Sequence, residues 1–272
     1  MIPFTKMTGT GNDFIVLDNR EGRWTGKEKD FFASICRRRF SAGADGVILA
    51  QKGDHTPVRM RYFNSDGGEA DMCANGARCT AFYARNKGFT RETYFLLEAS
   101  DGLHEVEVTG EKVRLEMRKP RDFRSGFGFV HTFGIREGGF LNTGVPHLVL
   151  FMDGAFELKN LDVEATAPYY RNHRFFEGGT NVNFVQRISS DTIQVRTFER
   201  GVEAETFSCG TGCVASALIA SRAFGAPSPI SVRTRGGELS VEFHKDWNNV
   251  HLTGQVRMVY EGSLYPEAEH PR

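Results

Sequence analysis

Two short stretches constrain this chain more than anything else in it. Met72-Cys73-Ala74-Asn75-Gly76-Ala77-Arg78-Cys79 and, in the second half, Ser208-Cys209-Gly210-Thr211-Gly212-Cys213 each set a cysteine directly before small residues. A run with helical spacing follows each one. After Cys73 it carries Ala77, Ala81, Phe82, Tyr83 and Ala84 and stops at Lys87-Gly88; after Cys209 it carries Cys213, Ala217, Leu218, Ala220 and Phe224 and stops at Gly225. A glycine just past the last helical residue is a C-terminal signal, so both cysteines are expected at or near helix N-termini.

The surroundings recur as well. Aligned on the two cysteines, Glu69 matches Glu205, Gly76 matches Gly212, and Asn64 falls opposite Arg200. Further out, Asp13-Phe14 resembles Asn183-Phe184, and Gly102 matches Gly237. Agreement in the order of elements argues for two similarly folded halves rather than a solenoid. Such halves are expected to set their cysteines facing each other across one cleft.

Hydrophobic periodicity fills in the rest. Residues 6–13 read as a Gly/Thr turn, residues 14–18 as a buried strand, and residues 25–40 as a helix whose Arg37-Arg38-Arg39 run is a solvated terminus with Cys36 in the core. Strands are expected at 47–50 and 58–64, then a meander over 94–117. The polar, Pro- and Gly-bearing stretch 119–126 reads as a linker. Beyond it come strands at 148–151, 182–185 and 192–198, a helical stretch around 165–174, and strands at 230–234, 239–243 and 250–252. The expected division is a first lobe over 1–118, completed by a strand at 254–265, a second lobe over 119–253, and a loose tail at 266–272.

With 34 basic and 34 acidic side chains the chain has no electrostatic footprint for nucleic acid or an anionic membrane. It also has neither a signal-like N-terminal segment nor an 18-residue apolar run, so a cytoplasmic address is expected. The partner is therefore a small molecule or a second copy of the chain. Five cysteines are an odd number in a chain of 272 residues, too long to need staples, so reduced thiols rather than a disulfide framework are expected.

A thiol has a pKa of about 8.5, and a helix N-terminus favours its thiolate. The same N-terminal N–H groups, little obstructed by Ala74-Asn75-Gly76 and Gly210-Thr211-Gly212, can hold a carboxylate. Two such ends at one α-carboxylate would stabilise the charge that appears when the α-proton leaves. One thiolate removes the proton from one face and the opposite thiol delivers a proton to the other, which inverts the centre. The reading is a racemase or epimerase acting α to a carboxylate. Cys79 and Cys213, further along their helices, read as buried structural residues. A metal-binding protein built on the cysteines is the rival from another class, but Cys209-x3-Cys213 is only one weak ligand pair, and Cys-x-x-Cys is absent.

The chain resembles the diaminopimelate epimerase family. The resemblance is carried, in order, by Gly11-Asn12-Asp13-Phe14, Asn64 with Asp66-Gly67, Met72 through Cys79, Pro146-His147, Asn181-Val182-Asn183-Phe184, Glu199-Arg200-Gly201 and Cys209-Gly210-Thr211-Gly212. It implies an α/β fold of two pseudo-symmetric lobes, each a mixed, mostly antiparallel sheet curled around a central helix. It implies epimerisation of L,L-2,6-diaminopimelate to the meso form, in lysine and peptidoglycan-precursor biosynthesis, with no pyridoxal phosphate, metal or other cofactor. Cys209 is then the proton acceptor for the L,L substrate and Cys73 the donor. Ala74, Asn75, Gly210 and Thr211 bind the reacting carboxylate; Asn12, Asn64, Asn181, Glu199 and Arg200 hold the other charged groups. His147 and Glu199 are auxiliary to the thiols, and Tyr260 lies at the contact of a homodimer. Val145 stands where many members have Asn before Pro-His, Gly46 where Gln often follows the Asp45 turn, and Glu203-Ala204 departs from the commoner Gly-Glu order. A proline- or hydroxyproline-type racemase is the rival that keeps the chemistry; Arg200 and Asn64, suited to a second charged end, speak against it.

Overall fold

Small residues decide where the two key helices sit. In the computed structural model, which describes residues 1–70, 72–131, 134–154 and 156–269, α2 (Ala74–Asn86) and α4 (Gly210–Phe224) are buried around most of their circumference. A helix with only one apolar face would lie on a sheet; one lined by Ala, Gly, Ser, Thr and Cys can be enclosed by strands.

The chain divides into two compact units, the first comprising Met1–Leu115 and the described chain from Gly254 onward, the second Glu116–Thr253. The first opens with β1 (Ile2–Gly9) and β2 (Asn12–Asp18), an antiparallel hairpin whose two-residue turn, Thr10-Gly11, has positive φ at both positions. The expected turn over 6–13 thus contracts to two residues. After α1 (Lys29–Cys36), β3 (Gly46–Gln51) runs parallel to β2. β4 (Val58–Asn64) pairs antiparallel to β3, and the short β5 (Glu69–Ala70) folds back on β4. Past α2, β6 (Tyr94–Ala99) runs parallel to β4 and continues into β7 (Gly102–Thr109) and β8 (Lys112–Met117). Helix α2 packs against β1, β2, β3, β4, β6 and β7.

The second unit repeats this order. β9 (Arg121–Arg124) pairs with β10 (Ile135–Asn142), β10 pairs antiparallel with β11 (Pro146–Met152), and after α3 (Val163–Arg171) β12 (Asn181–Arg187) runs parallel to β11. β13 (Thr192–Glu199), β14 (Ala204–Thr206), α4, β15 (Ile230–Thr234) and β16 (Gly237–Glu242) then stand where β4, β5, α2, β6 and β7 stand in the first. α4 packs against β10, β11, β12, β13, β15 and β16. β17 (Val250–Leu264) carries the chain back and pairs antiparallel with β1. The repeat reaches side chains: a bidentate pair joins Arg61 to Glu69 across β4 and β5, and Arg196 to Glu205 across β13 and β14, all at 2.7 Å.

The strands of each unit also carry a second core on the face away from the unit's central helix. In the first unit Ile15, Leu17, Val47, Leu49 and Phe63 meet Phe32 and Ile35 of α1; in the second Leu148, Leu150, Val182 and Phe184 meet Val163, Ala167 and Tyr170 of α3. Strands with apolar residues on both faces follow from this sandwiching, and each fully buried Leu, Ile or Phe contributes about 1.5–3 kcal/mol.

Several expectations change. The helix foreseen over 25–40 is only eight residues long. At its start Glu28 turns its carboxylate back to the Thr25 and Gly26 N–H groups. At its end Arg37 leaves helical geometry, and Arg38, instead of being merely solvated, bonds both Asp13 and Asp45. The expected linker contains β9. Asp13-Phe14 lies on β2, whose counterpart is β11, whereas Asn183-Phe184 lies on β12, the counterpart of β3, so those two dipeptides are not equivalent. In the tail, Pro266–Glu269 form a 3-10 turn, and Ser34 Oγ donates to the Ala268 carbonyl at 2.9 Å; residues 270–272 lie outside the described residues.

Candidate active site

Each key cysteine is the N-cap of its unit's central helix. Cys73 (φ −130°, ψ 109°) and Cys209 (φ −110°, ψ 111°) have extended backbones, and their carbonyls accept the first helical hydrogen bonds, from Ala77 and Cys213. An N-cap side chain points at the first-turn N–H groups, which have no intrahelical partner. Cys73 uses the position directly: Gly76 N–H donates to its sulfur at 3.3 Å. Both residues keep part of their surface exposed, whereas Cys36, Cys79 and Cys213 are buried. Burial pushes the Cys36 and Cys79 thiols up to about 12, as befits core residues.

Around Cys73 the side chains form a polar chain. Arg78, fully buried, donates to Asn75 Oδ1 and to Thr10 Oγ1, both at 2.8 Å. Asn75 Nδ2 donates to Asn12 Oδ1, and Asn12 Nδ2 donates to Asp45 at 3.1 Å. The structure therefore brings Asn12 and Asn75 together and orients both amides from behind. Ala74 is buried at the helix start. Asn64 is exposed at the end of β4, opposite Gly46. Gly46 itself is dictated by packing, because a Cβ there would come within 2.5 Å of both the Tyr62 ring and the Phe63 carbonyl.

Around Cys209 the network is denser. Its sulfur lies 3.4 Å from Thr211 Oγ1, which lies 2.9 Å from His147 Nε2. The other ring nitrogen of His147 receives Asn183 Nδ2 at 3.2 Å, and the Thr211 carbonyl is braced by Thr143 Oγ1 at 2.9 Å. Burial first, and the Arg200 charge second, hold His147 down to about 3. It is a neutral imidazole. The Cys209 thiol is pushed well up, by desolvation first and the Glu199 carboxylate second, against the Thr211 and Gly212 donors. The helix-end effect alone predicts the opposite direction; here it is outweighed.

The remaining predicted residues sit at the adjoining strand ends. Glu199 accepts from Thr206 Oγ1 at 2.6 Å. Asn181 is buried and its amide is engaged by backbone, donating to the Pro146 carbonyl and accepting from the Arg200 N–H, both at 2.8 Å. It thereby fixes the Glu199-Arg200 corner. The Arg200 side chain is exposed. Gly210 is buried at the first turn of α4. Tyr260 lies elsewhere, on β17, edge-on to Phe4 with centroids 5.9 Å apart. Sequence reasoning left Arg78 and Asn183 out of the site; the available signal was a polar residue inside an otherwise apolar or small-residue run. Among the described residues no group of three or more His, Cys, Asp or Glu side chains is placed to hold a metal ion, and no helix is long and apolar enough to cross a membrane.

The diaminopimelate epimerase family model matches residues 4–121 and 139–259. A diaminopimelate epimerase of Archaeoglobus fulgidus is 40% identical over 277 residues, spanning 97% of this chain and 96% of that one. Among solved structures, a phenazine biosynthesis protein of the PhzF family from Bacillus anthracis superposes with a TM-score of 0.73 at 15% identity, covering 97% of this chain and 99% of that one. A hydroxyproline epimerase from Agrobacterium vitis superposes at 0.69 and 15%, covering 98% and 93%. The two structural likenesses share the fold; the sequence matches go further, and this chain belongs to the diaminopimelate epimerase family.

Proposed function

We propose that the chain interconverts L,L- and meso-2,6-diaminopimelate by two-base proton transfer at the α-carbon, without pyridoxal phosphate or metal. The observation that carries the reading is that each unit ends its buried central helix on a partly exposed cysteine in N-cap position. For the L,L substrate the Cys209 thiolate takes the α-proton, and the electron pair of the broken C–H bond passes into the carboxylate. The Cys73 thiol then gives its proton to the opposite face. Cys209 ends as thiol and Cys73 as thiolate, so the reverse reaction uses the same pair with roles exchanged. First-turn N–H groups of Ala74, Asn75, Gly210 and Thr211 hold the carboxylate as its charge grows.

Glu199 serves as the acid–base partner of Cys209, and His147 stays neutral behind Thr211. Asn12, Asn64, Asn181, Glu199 and Arg200 recognise the other ammonium and carboxylate groups, for which amides, an acidic acceptor and a guanidinium fork are the matching chemistry. We assign the enzyme to lysine and peptidoglycan-precursor biosynthesis in the cytoplasm, a reducing compartment that suits the free thiols Cys36, Cys79 and Cys209. We also assign it a homodimeric state, with no nucleic-acid or membrane partner. The dimer face is the end of β17 and the residue after it, where Val259, Tyr260 and Tyr265 are 57%, 47% and 66% exposed.

Incubation with L,L-diaminopimelate and, separately, with proline in deuterium oxide tests the substrate. Solvent deuterium is expected at the α-carbon of diaminopimelate; exchange into proline alone would refute the assignment.

A further inference from the structure

We infer that Asn183 is a positioning residue that sets the direction of a hydrogen-bond chain, so that the Thr211 hydroxyl donates to the Cys209 sulfur. The inference rests on the acid–base role proposed for Cys209. A backbone carbonyl can only accept, and the Leu148 carbonyl lies 2.9 Å from Asn183 Nδ2, so it is the amide nitrogen that faces it. The amide oxygen on the other side accepts from Thr197 Oγ1 at 3.0 Å. The second N–H of Asn183 is then aimed at His147 Nδ1, 3.2 Å away. A ring nitrogen that accepts carries no proton, so a neutral His147 holds its proton on Nε2 and donates it to Thr211 Oγ1 at 2.9 Å. The single hydrogen of Thr211 is left for Cys209 Sγ at 3.4 Å.

A donor at the sulfur favours thiolate over thiol. Several other groups act on the same atom: Glu199 from β13 and Cys213 from within α4 oppose ionisation, while the Gly212 N–H supports it. Arg200 acts on His147, helping to keep the ring neutral and the chain pointing one way. Buried Asn183 and Thr197 act on Cys209 through His147 and Thr211, by deciding which atom of Thr211 faces the sulfur.

The test reads Cys209 without turnover. In a Cys73→Ser background, where Cys36, Cys79 and Cys213 are buried, the rate of iodoacetamide alkylation of Cys209 is followed against pH. Asn183→Asp presents an oxygen to His147 Nδ1, draws the ring proton there, and leaves Nε2 to take the Thr211 hydrogen away from sulfur. The Cys209 midpoint is expected to rise by about one unit, slowing alkylation at pH 7.5 roughly tenfold. Thr211→Val, which leaves Asn183 and His147 in place, is expected to give the same shift, and Thr211→Ser to restore the parent midpoint. Asn183→Asp combined with Thr211→Val should shift no further, whereas a mere charge effect of the aspartate would add. Near-UV circular dichroism checks folding; should Asn183→Asp not fold, Thr211→Val alone decides. A folded Asn183→Asp or Thr211→Val titrating like the parent, or additive shifts in the double variant, overturns the inference. None of these outcomes depends on which substrate is turned over.

Discussion

Gly212 and Gly76 occupy the same position on their central helices, yet alanine should have opposite consequences at the two. A Cβ at Gly212 would lie 2.3 Å from Asn183 Oδ1, 3.2 Å from His147 Cε1 and 3.3 Å from Cys209 Cβ. Restoring van der Waals distance requires Asn183 to retreat by about 1 Å. Its amide cannot swing aside, because Leu148, His147 and Thr197 hold it from three directions. Stretching one or two of these bonds costs about 1 kcal/mol each, and overpacking typically costs about 1–3 kcal/mol. The higher helix propensity of Ala returns about 1 kcal/mol. The expected net for Gly212→Ala is a destabilisation of about 2 kcal/mol. At Gly76 the nearest atoms are Cys73 Cβ at 3.4 Å and Ile48 Cδ1 at 3.5 Å, which is ordinary contact, so Gly76→Ala should be neutral or stabilising by up to about 1 kcal/mol.

Thermal and urea unfolding of the two variants beside the parent gives the comparison. A fall of about 4–8 °C in Tm is expected for Gly212→Ala, with no fall for Gly76→Ala. The paired design cancels any departure from two-state unfolding common to both. Gly212→Ala as stable as the parent, or the two variants shifting together, would show that the Asn183–His147 cluster yields easily, and would refute the rigidity ascribed to it.

The other predictions concern the thiols and the buried imidazole. Cys73→Ser and Cys209→Ser should each lower kcat by roughly 10²–10⁴-fold, the range for loss of a positioned acid or base, with little change in stability; retention of more than a tenth of parent kcat by either would remove that residue from the chemistry. His147 titrates near 6.5 when unfolded and is held down to about 3 when folded. As pH falls below 6.5 the unfolded chain therefore gains a proton that the folded one refuses. Stability is complete above about pH 6.5 and is lost by about 1.4 kcal/mol per unit toward pH 3. Urea unfolding between pH 6 and 4.5, above the main carboxylate range, should show this slope in the parent and a flatter one in His147→Gln. Equal slopes would mean that His147 protonates in the folded state.

Much of this molecule is legible in the sequence where the deciding interactions are local. Helices α2 and α4 announce themselves by small residues at helical spacing and a terminating glycine: Gly225, at φ 67°, sits in the left-handed cap geometry that favours glycine. The recurrence of Glu69 at Glu205 is legible too, and it proves to be the same arginine clamp built twice. What stays hidden is whatever comes from far along the chain. Residues 37–40 continue a helical pattern, but Arg38 is drawn off by Asp13, 25 residues away in sequence. Asn183 interrupts an apolar strand and gains its meaning only when β11 and α4 arrive beside it. The raised Cys209 thiol is hidden for the same reason, since the helix-end effect is visible locally while the desolvation and, after it, the Glu199 carboxylate are not.

That last difference bears on the unequal roles proposed for the two thiols. A pair of identical thiols would share one pKa, and neither would be prepared as acid while the other acts as base. The strand ends break the identity: the register puts Glu199, not Arg200 as the sequence alignment suggests, in the place of Asn64, so where β4 ends on a neutral amide β13 ends on a carboxylate. Placed beside a desolvated thiol, that charge favours the protonated form of Cys209. The Cys73 sulfur accepts the Gly76 N–H as the Cys209 sulfur takes the Gly212 N–H, so the backbone donor is common to both and the carboxylate is what differs. On the two-thiol reading proposed above, a Cys209 held in its protonated form is the one that would deliver a proton, in the meso-to-L,L direction. On the same reading the L,L direction requires that proton to leave first, and Glu199, the largest charge acting on the sulfur, is the acid–base partner proposed for it. Raising the thiol pKa is then no obstacle to catalysis, because it makes the thiolate a stronger base toward a carbon acid. The Thr211 hydroxyl works against the rise.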